Sequence, residues 1–426
     1  MDCLNTTDMK TEGKPVNEKR EALTHKLRKQ FGVKDAISID FSNTEVAFAD
    51  KSDGELKQTK WLFDMMNKAW LVNLVGKLAM FAVKYRLPLA ERVIKATIFK
   101  QFCGGTTLLD STSSIEKLYE SGIGSILDYG VEGKENEEDF NNTMNENIRA
   151  LEFAATHESA WLISTKVTGL ARNKLLEKVS TQAELTASEQ TEWESVRKRV
   201  DTICYNAKKL NVGVMIDAEE TWLQPAIDDL AQTMMQRYNI KGKAIVYNTF
   251  QMYRKDRLEF LQQSYIHSQQ NAYLLGAKLV RGAYMEKERR RAAEKGYPSP
   301  IHDTKADSDR SYNEGIRFCI EYHDTIALCN ATHNEKSCML MAQLIAQKGL
   351  EKEHPHFLSA QLLGMSDNLS YNLADYGFKV AKYMVYGSVK DVVPYLIRRA
   401  EENSSVEGDL SRERSLILKE VKRRGI

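Results

Sequence analysis

The chain has 426 residues, of which 42% are hydrophobic and 28% are charged. This length is enough for one large domain with an appendage, or for two domains. The 60 basic and 59 acidic residues nearly cancel, so the overall charge does not indicate a nucleic-acid-binding protein. The six cysteines are scattered without the paired spacing of a zinc site, as is typical of reduced proteins in a cytoplasmic compartment.

The N-terminal region is polar at first and then helical in pattern. Residues 1–23 lack the apolar core of a signal peptide, which favours a cytoplasmic location. The most apolar stretch, 70–89, is interrupted by basic residues and falls short of a membrane span. Apolar residues at three- and four-residue spacing predict helices over 57–82 and 89–102. We expect 1–119 to form a helical arm, with 70–89 packed on the body of the protein; contact of 70–89 with a membrane surface is the alternative.

Beyond the arm, short apolar runs with the composition of β-strands alternate with longer amphipathic segments. The predicted strands are 123–129, 160–165, 212–216, 244–248, 277–280, 327–331, 357–363 and 380–385. The longest gap, 166–211, is expected to hold an insertion with at least two helices. This alternation predicts an α/β fold, a TIM-type (β/α)8 barrel over 120–411. An open doubly wound sheet is the alternative, although the chain has no glycine-rich phosphate-binding loop.

Polar or ionisable side chains follow almost every predicted strand, at the end where the active sites of such barrels lie. In chain order they are Glu132, Lys166, Asp217, Gln251, Lys278, Arg281, Thr332, His333, Asn334, Tyr383, Arg398 and Arg399. Each has an ordinary explanation, since an aspartate can cap the next helix and a lysine can simply face solvent. We favour a functional site because those explanations would have to hold independently at many positions.

The basic residues at these strand ends outnumber the acidic ones. The cations are Lys166, Lys278, Arg281, Arg398 and Arg399, and the carboxylates are Glu132, Asp217 and Glu402. This balance favours an anionic ligand, either a carboxylate substrate, a phosphorylated cofactor or both. The adjacent arginines suit a carboxylate or phosphate held at two points, because a guanidinium binds such groups through two parallel hydrogen bonds. No nucleophile elbow and no metal-binding spacing is present, so nucleophilic and metal catalysis are poorly supported.

Four segments resemble those of a known family: 274–301, 331–337, 361–387 and 395–405, the last reading YLIRRAEENSS. They are similar to the proline dehydrogenases, FAD-dependent enzymes that oxidise L-proline to Δ1-pyrroline-5-carboxylate. The resemblance covers about 108–411 and is nearer to single-function enzymes, including mitochondrial ones, than to bifunctional proline-utilisation proteins. It implies a distorted (β/α)8 barrel, hydride transfer from proline to FAD, and electron transfer to a membrane quinone, the first step of proline catabolism.

The resemblance also implies roles for particular residues. Those that resemble the family's proline-binding residues are Glu132, Lys166, Leu362, Tyr383, Tyr395, Arg398 and Arg399. Those that resemble its FAD contacts are Asp217, Gln251, Lys278, Val280, Arg281, Gly282, Thr332, His333, Asn334 and Glu402. In this comparison Arg398, Arg399 and Lys166 hold the proline carboxylate. Asp217 and Lys278, with Lys166, are the expected catalytic residues beside the flavin.

Two positions bear on the substrate and the flavin. Many bacterial members have arginine where this chain has Lys278; lysine keeps the cation there but loses the planar fork. Relatives that act on 4-hydroxyproline have a smaller residue in place of Tyr383, so tyrosine favours proline. The alternatives are a hydroxyproline dehydrogenase, an inactive barrel that serves as a binding protein, and a flavin-free barrel enzyme that acts on a phosphorylated substrate.

The C-terminal residues 412–426 are basic and helical in pattern. The basic residues are Arg412, Arg414, Lys419, Lys422, Arg423 and Arg424. Contact of these side chains with an anionic membrane would suit electron transfer to a quinone and a peripheral position at the inner membrane. A solvated helix is favoured over this, because Glu413 and Glu420 are interleaved with the basic residues.

Overall fold

The structure, a computed structural model, describes residues 37–66, 90–240, 242–405 and 409–426. For residues 90, 400–405 and 409–411 only the backbone is described. The apolar segment 70–89 and most of the predicted helix 57–82 therefore lie outside the described residues. Within the described ranges, no helix is long and apolar enough to cross a membrane.

A closed barrel of parallel strands forms the centre of the protein. The strands are β1 Cys103–Gly105, β2 Ile123–Tyr129, β3 Ala160–Thr165, β4 Gly213–Ile216, β5 Val246–Gln251, β6 Leu275–Val280, β7 Ile326–Ala331, β8 Phe357–Leu362 and β9 Val380–Tyr386. Strands β2 to β9 pair in chain order, and β9 also pairs with β2, which closes the barrel. This arrangement confirms the predicted (β/α)8 fold.

The eight predicted strands are all present, and two details differ from the prediction. Strand β5 begins at Val246, two residues late, because the N–H groups of Ile245 and Val246 donate to the Asn239 side chain at 2.9 and 2.8 Å. Strand β1, with the sequence Cys-Gly-Gly, is a short glycine-rich segment without the apolar run by which the other strands were predicted. It pairs with Val385 and Tyr386 of β9, beyond the end of β8.

The strands are apolar on both faces because both faces are buried, as is usual for parallel sheets. In β9, Val380 and Met384 pack outward in the layer shared with the helices. Ala381 and Tyr383, which alternate with them, lie in the cluster inside the barrel. Inward-facing side chains at the C-terminal ends of the strands therefore point into the barrel mouth.

Helices surround the barrel and extend it at both chain ends. They are α1 Thr44–Ala47, α2 Asp53–Met66, α3 Ala90–Ile94, α4 Lys100–Phe102, α5 Leu108–Tyr119, α6 Glu137–Thr156, α7 Asn173–Ser180, α8 Ala187–Leu210, α9 Gln224–Tyr238, α10 Arg257–Gln270, α11 Met285–Lys295, α12 Lys305–Glu321, α13 Glu335–Gln347, α14 Asp367–Asp375, α15 Val389–Ser405 and α16 Asp409–Arg424. A π-helical turn, Lys95–Phe99, joins α3 to α4. The predicted insertion holds α7 and α8.

The C-terminal helix α16 packs on the arm helices α1 and α2. Arg414 Nε lies 2.5 Å from Asp64 Oδ1, and Lys419 Nζ donates to the Ser42 carbonyl at 2.6 Å. Arg424 donates to the Phe48 carbonyl at 2.7 Å. Several basic side chains, for which the sequence offered membrane contact or solvation, thus bind α16 to the N-terminal arm.

Candidate active site

A buried network of charged side chains lies where β2, β3, β4 and β6 end, and β9 contributes a tyrosine. Lys166 Nζ lies 2.8 Å from Asp128 Oδ2 and 3.5 Å from Asp217 Oδ2. Lys278 Nζ lies 2.5 Å from Asp217 Oδ1. The Tyr383 hydroxyl donates to Asp217 Oδ2 at 2.7 Å. Asp217 is therefore the shared partner of both lysines and the tyrosine.

The electrostatics of this network keep Lys166 charged and Asp217 ionised. Burial opposes ionisation of Asp217, but Lys278 and Lys166 outweigh burial and lower its pKa to about 2. Burial would lower the pKa of Lys166, yet Asp128 and Asp217 raise it well above its usual value. Burial raises the pKa of Asp128, against the effect of Lys166. An Asp217 carboxylate with so low a pKa is a poor proton acceptor at neutral pH.

The arginine pair on α15 lies beside this network. Arg398 makes a two-point contact with Glu132, in which Nη2 lies 3.0 Å from Oε2. Burial opposes ionisation of Glu132, but Arg398 outweighs burial and lowers the pKa of the glutamate. Arg399 is buried, and its guanidinium lies 5.5 Å from the centre of the Tyr395 ring. The two arginines therefore differ in exposure: the Arg398 side chain is 24% exposed, whereas Arg399 is buried.

Leu362 and Tyr383 stand opposite each other at the end of the β8–β9 pair. Tyr383 and Tyr395 are both buried. The predicted proline-binding residues on these strands and on α15 thus lie at one end of the barrel. Their roles toward proline remain predictions.

Most of the residues predicted to contact FAD lie in or directly after β5, β6 and β7, whereas Asp217 follows β4 and Glu402 belongs to α15. Arg281 donates to Asp309 at 2.8 Å and to the Thr332 hydroxyl at 2.7 Å, and it stacks on Tyr312. Gln251 is buried at the end of β5, and its Oε1 has no hydrogen-bond partner among the described residues. These contacts place a cation and an amide acceptor near the barrel mouth.

Three further predicted FAD contacts have clear positions, and a fourth is described only by its backbone. The Val280 carbonyl, at the end of β6, accepts a hydrogen bond from Met252 at 2.7 Å. Gly282 has φ +136°, and a Cβ there would lie 2.3 Å from the Tyr253 ring, so no other residue fits. Asn334 caps α13, accepting from Ser337 N at 3.0 Å. Glu402 belongs to α15, but its side chain lies outside the described residues.

His333 follows β7 and contacts Ser366, with Nδ1 2.8 Å from Oγ. Burial lowers its pKa to about 3, and Lys382, Arg399 and Arg281 contribute to the shift. The unfolded chain therefore binds a proton below about pH 6.5 that the folded protein does not.

We expect the folded protein to lose stability relative to His333→Gln as the pH falls from 6.5 towards 3, by up to about 1.4 kcal/mol per pH unit. Glutamine cannot titrate but keeps a polar group near Ser366. Urea unfolding of both proteins between pH 7 and pH 4 measures the difference. A constant difference across this range would contradict a histidine that stays neutral in the folded protein.

Three residues that the sequence interpretation did not select join the site. Asp128 lies inside a predicted strand, where a single acid in an apolar run was the available signal. Tyr284 is half-buried and lies close enough to Glu219, Arg398 and Glu132 for their charges to act on it. Glu219 accepts a hydrogen bond from Thr168 N at 3.0 Å, and burial raises its pKa to about 8.

The described part of the chain has no group of three or more His, Cys, Asp or Glu side chains that could hold a metal ion. Fold and site together define a (β/α)8 barrel enzyme whose mouth carries a network of paired lysines and aspartates and, beside it, an arginine pair. The family model described as "Proline dehydrogenase" matches residues 111–412. The chain belongs to the proline dehydrogenase family, so it is an oxidoreductase, and the family implies a flavin-dependent enzyme.

Individual relatives support this assignment. Proline dehydrogenase 2, mitochondrial, from Arabidopsis thaliana is 36% identical over 378 residues, which cover 79% of this chain and 79% of the relative. Hydroxyproline dehydrogenase from Xenopus laevis is 30% identical over 429 residues, with 91% and 90% coverage. The crystal structure of proline utilization A from Bdellovibrio bacteriovorus, inactivated by N-propargylglycine, superimposes with a TM-score of 0.67 at 18% identity, over 93% of this chain. This chain spans 42% of that protein, and at this identity the likeness shows the fold alone.

Proposed function

We propose that the protein oxidises L-proline to Δ1-pyrroline-5-carboxylate with FAD as the electron acceptor, and that a quinone receives the electrons. The observation that carries this proposal is the buried network of Lys166, Asp217, Lys278 and Tyr383 beside the arginine pair. In this proposal residues 120–411 bind flavin and substrate, and 1–119 and 412–426 form the arm and the C-terminal helix that support them.

The proline carboxylate is held by Lys166, Arg398 and Arg399. Lys166 is already fixed by two aspartates and charged, so it can bind an anion with little reorganisation. Arg398 keeps its contact with Glu132, and together they cover the bound substrate. Tyr383 and the facing Leu362 exclude water from the ring and limit its size.

The residues present fit a flavin. Gln251 Oε1 is a buried acceptor without a described partner, suited to a ring N–H group. Lys278 provides a buried cation beside it in the barrel, and Arg281 and His333 lie at the ends of the adjoining strands. Bound FAD supplies the two-electron acceptor for the reaction. Lys278 would stabilise negative charge on the ring. It would do so as a single charged amine, without the planar fork of an arginine.

Two members of the network that face the bound substrate, Asp217 and Tyr383, are unsuited to accept the proton of its amine. Asp217 is held ionised by two lysines, and its pKa of about 2 makes it a weak base. Burial keeps the pKa of Tyr383 well above 10, so its hydroxyl acts as a donor. We therefore propose that proline binds with its amine neutral.

The test of the proposed function is the visible spectrum of purified protein after reconstitution with FAD. We expect bound-flavin absorbance that bleaches when L-proline is added under anaerobic conditions and does not bleach with L-alanine. Protein that binds no flavin would overturn the flavoenzyme proposal. Flavin that proline leaves oxidised would overturn proline as the substrate.

The choice between proline and 4-hydroxyproline rests on Tyr383. We expect Tyr383→Ser to raise the ratio of kcat/KM for hydroxyproline to that for proline about tenfold, because the shorter side chain leaves room for the extra hydroxyl. Tyr383→Phe is the matched control: it removes the hydrogen bond to Asp217 but keeps the ring, so the ratio stays near the wild-type value. An equal shift in both variants would assign the effect to the lost hydrogen bond.

The cellular location and the electron acceptor form a separate part of the proposal. We propose a cytoplasmic protein that meets a quinone peripherally at the inner membrane. The basic side chains of α16 do not support this contact, because Arg414, Lys419 and Arg424 bind the arm. Separation of membrane and soluble fractions at low and high salt tests it.

A further inference from the structure

The loop between β8 and α14, residues 363–366, is held to the barrel at two points. The backbone N–H of Leu363 donates to the Tyr383 carbonyl at 2.9 Å. Lys382 Nζ donates to the Met365 carbonyl at 2.6 Å. Both partners lie on β9, so the closing strand fixes the side of the loop that faces the barrel.

The N-terminal arm holds the same loop from outside the barrel. Gln101 Nε2 donates to the Gly364 carbonyl at 2.9 Å. Gly364 has φ +75°, and a Cβ there would lie 2.0 Å from the Gln101 carbonyl oxygen, so the close approach requires glycine. Lys51 Nζ lies 3.1 Å from Asp367, the first residue of α14. The arm therefore contacts both the loop and the helix that follows it.

The C-terminal helix supplies the last contact, through Glu413. The backbone N–H of Ser366 donates to Glu413 Oε1 at 2.6 Å. Ser366 is the N-cap of α14 but makes no capping hydrogen bond with its own side chain, since its hydroxyl faces His333. Its φ of +50° is unusual for a residue other than glycine. A glutamate from another helix thus does what a glutamate at the third position of a helix does in a capping box.

We propose that Glu413 is a positioning residue for proline oxidation: from the C-terminal helix it fixes the 363–366 loop and, through the loop, holds Leu362 against the substrate pocket. This inference rests on the proposed function. Glu413 lies immediately beyond the residues 111–412 that match the family.

The contact of Glu413 with the loop differs from the contacts that only hold α16 against the arm. Arg414 pairs with Asp64, and Lys419 donates to the Ser42 carbonyl. These anchors bind the helix to the arm without contacting the loop. Loss of Glu413 should therefore release the loop while the helix stays in place.

The surroundings of Glu413 indicate which substitution preserves its role. Burial raises its pKa to about 8, Asp367 adds to the shift, and Lys382 and Lys51 oppose it. At neutral pH the carboxyl is mostly protonated and accepts from Ser366 through one oxygen. Glutamine keeps such an oxygen at the same distance from the backbone, whereas alanine removes it.

The experiment compares Glu413→Ala, Glu413→Gln and the control Arg414→Gln by steady-state kinetics with L-proline at pH 7 and by hydrogen exchange of the segment 362–370. We expect Glu413→Ala to raise the KM about tenfold with kcat within about twofold of wild type, since small displacements of a positioning group weaken binding. The Ser366 amide should exchange at least about tenfold faster in this variant. Glu413→Gln and Arg414→Gln should match wild type in both measurements.

Three results would overturn the proposal: an unchanged KM in Glu413→Ala, an equal rise in KM in Arg414→Gln, or equal losses in the alanine and glutamine variants. If Glu413→Ala does not fold, Glu413→Asp replaces it, because a side chain one methylene shorter cannot reach Ser366 and should raise the KM in the same way. Wild-type protein that does not oxidise proline would overturn the proposed function, while exchange at Ser366 would still decide whether Glu413 fixes the loop.

Discussion

Replacing Arg399 with alanine is expected to raise the KM for proline roughly a hundredfold. Its side chain is 8% exposed, so the substrate carboxylate would meet it away from bulk water. A hydrogen bond between charged groups contributes about 1.5–3 kcal/mol, and each 1.4 kcal/mol corresponds to about a tenfold change in affinity. Arg399→Lys keeps the charge but loses the fork and should fall between wild type and alanine.

Arg398→Ala is expected to have a smaller effect, about tenfold, because Arg398 is also bound to Glu132 and lies nearer to solvent. Steady-state kinetics with proline measures both variants, and flavin content serves as the control for folding. An unchanged KM in both alanine variants would remove the proposed carboxylate clamp. A larger effect at Arg398 than at Arg399 would reverse their roles.

Asp217→Asn is expected to give the largest loss of stability among the site variants, about 3 kcal/mol. Asp217 is the partner of two buried lysines and the acceptor for Tyr383 and Ser164. The amide removes the negative charge and turns one acceptor into a donor, so buried cations lose their counter-charge. Urea unfolding at pH 7 measures the change in the free energy of unfolding.

Asp128→Asn is the matched control for this prediction. Asp128 is also buried and also pairs with Lys166, but burial raises its pKa whereas the pKa of Asp217 is lowered. Its negative charge therefore contributes less to the folded state, and we expect a loss of about 1 kcal/mol. Equal losses in the free energy of unfolding for Asp217→Asn and Asp128→Asn would contradict the prediction that the Asp217 carboxylate contributes more to stability.

The barrel could be predicted from sequence because both faces of each strand are buried, so each strand is a continuous apolar run. The same feature concealed Asp128. When both faces are apolar, alternation does not show which side of a strand points into the barrel. Lys166 and Asp217 were found because they follow strands, where polar residues stand out.

Contacts between distant parts of the chain were beyond the sequence. Arg398 and Glu132 are 266 residues apart, and Arg414 and Asp64 are 350 apart. A basic C-terminal segment gives no indication of which carboxylate it will meet, so only membrane and solvent were weighed, solvent was favoured, and the contact with the arm was not foreseen. The 363–366 loop likewise makes four backbone hydrogen bonds with distant parts of the chain: two with β9, one with the arm and one with α16.

The pairing of β9 with β2 also determines when the protein can become active during synthesis. Strand β2 leaves the ribosome early and must wait for Val380–Tyr386 before its free edge is covered. Long-range pairing of this kind is slow, and an open edge exposes the nascent chain to aggregation. Arg398 and Arg399 follow the closing strand directly, so a chain that stops before the barrel closes also lacks the residues proposed to bind proline. We therefore expect incomplete products to be both unstable and inactive.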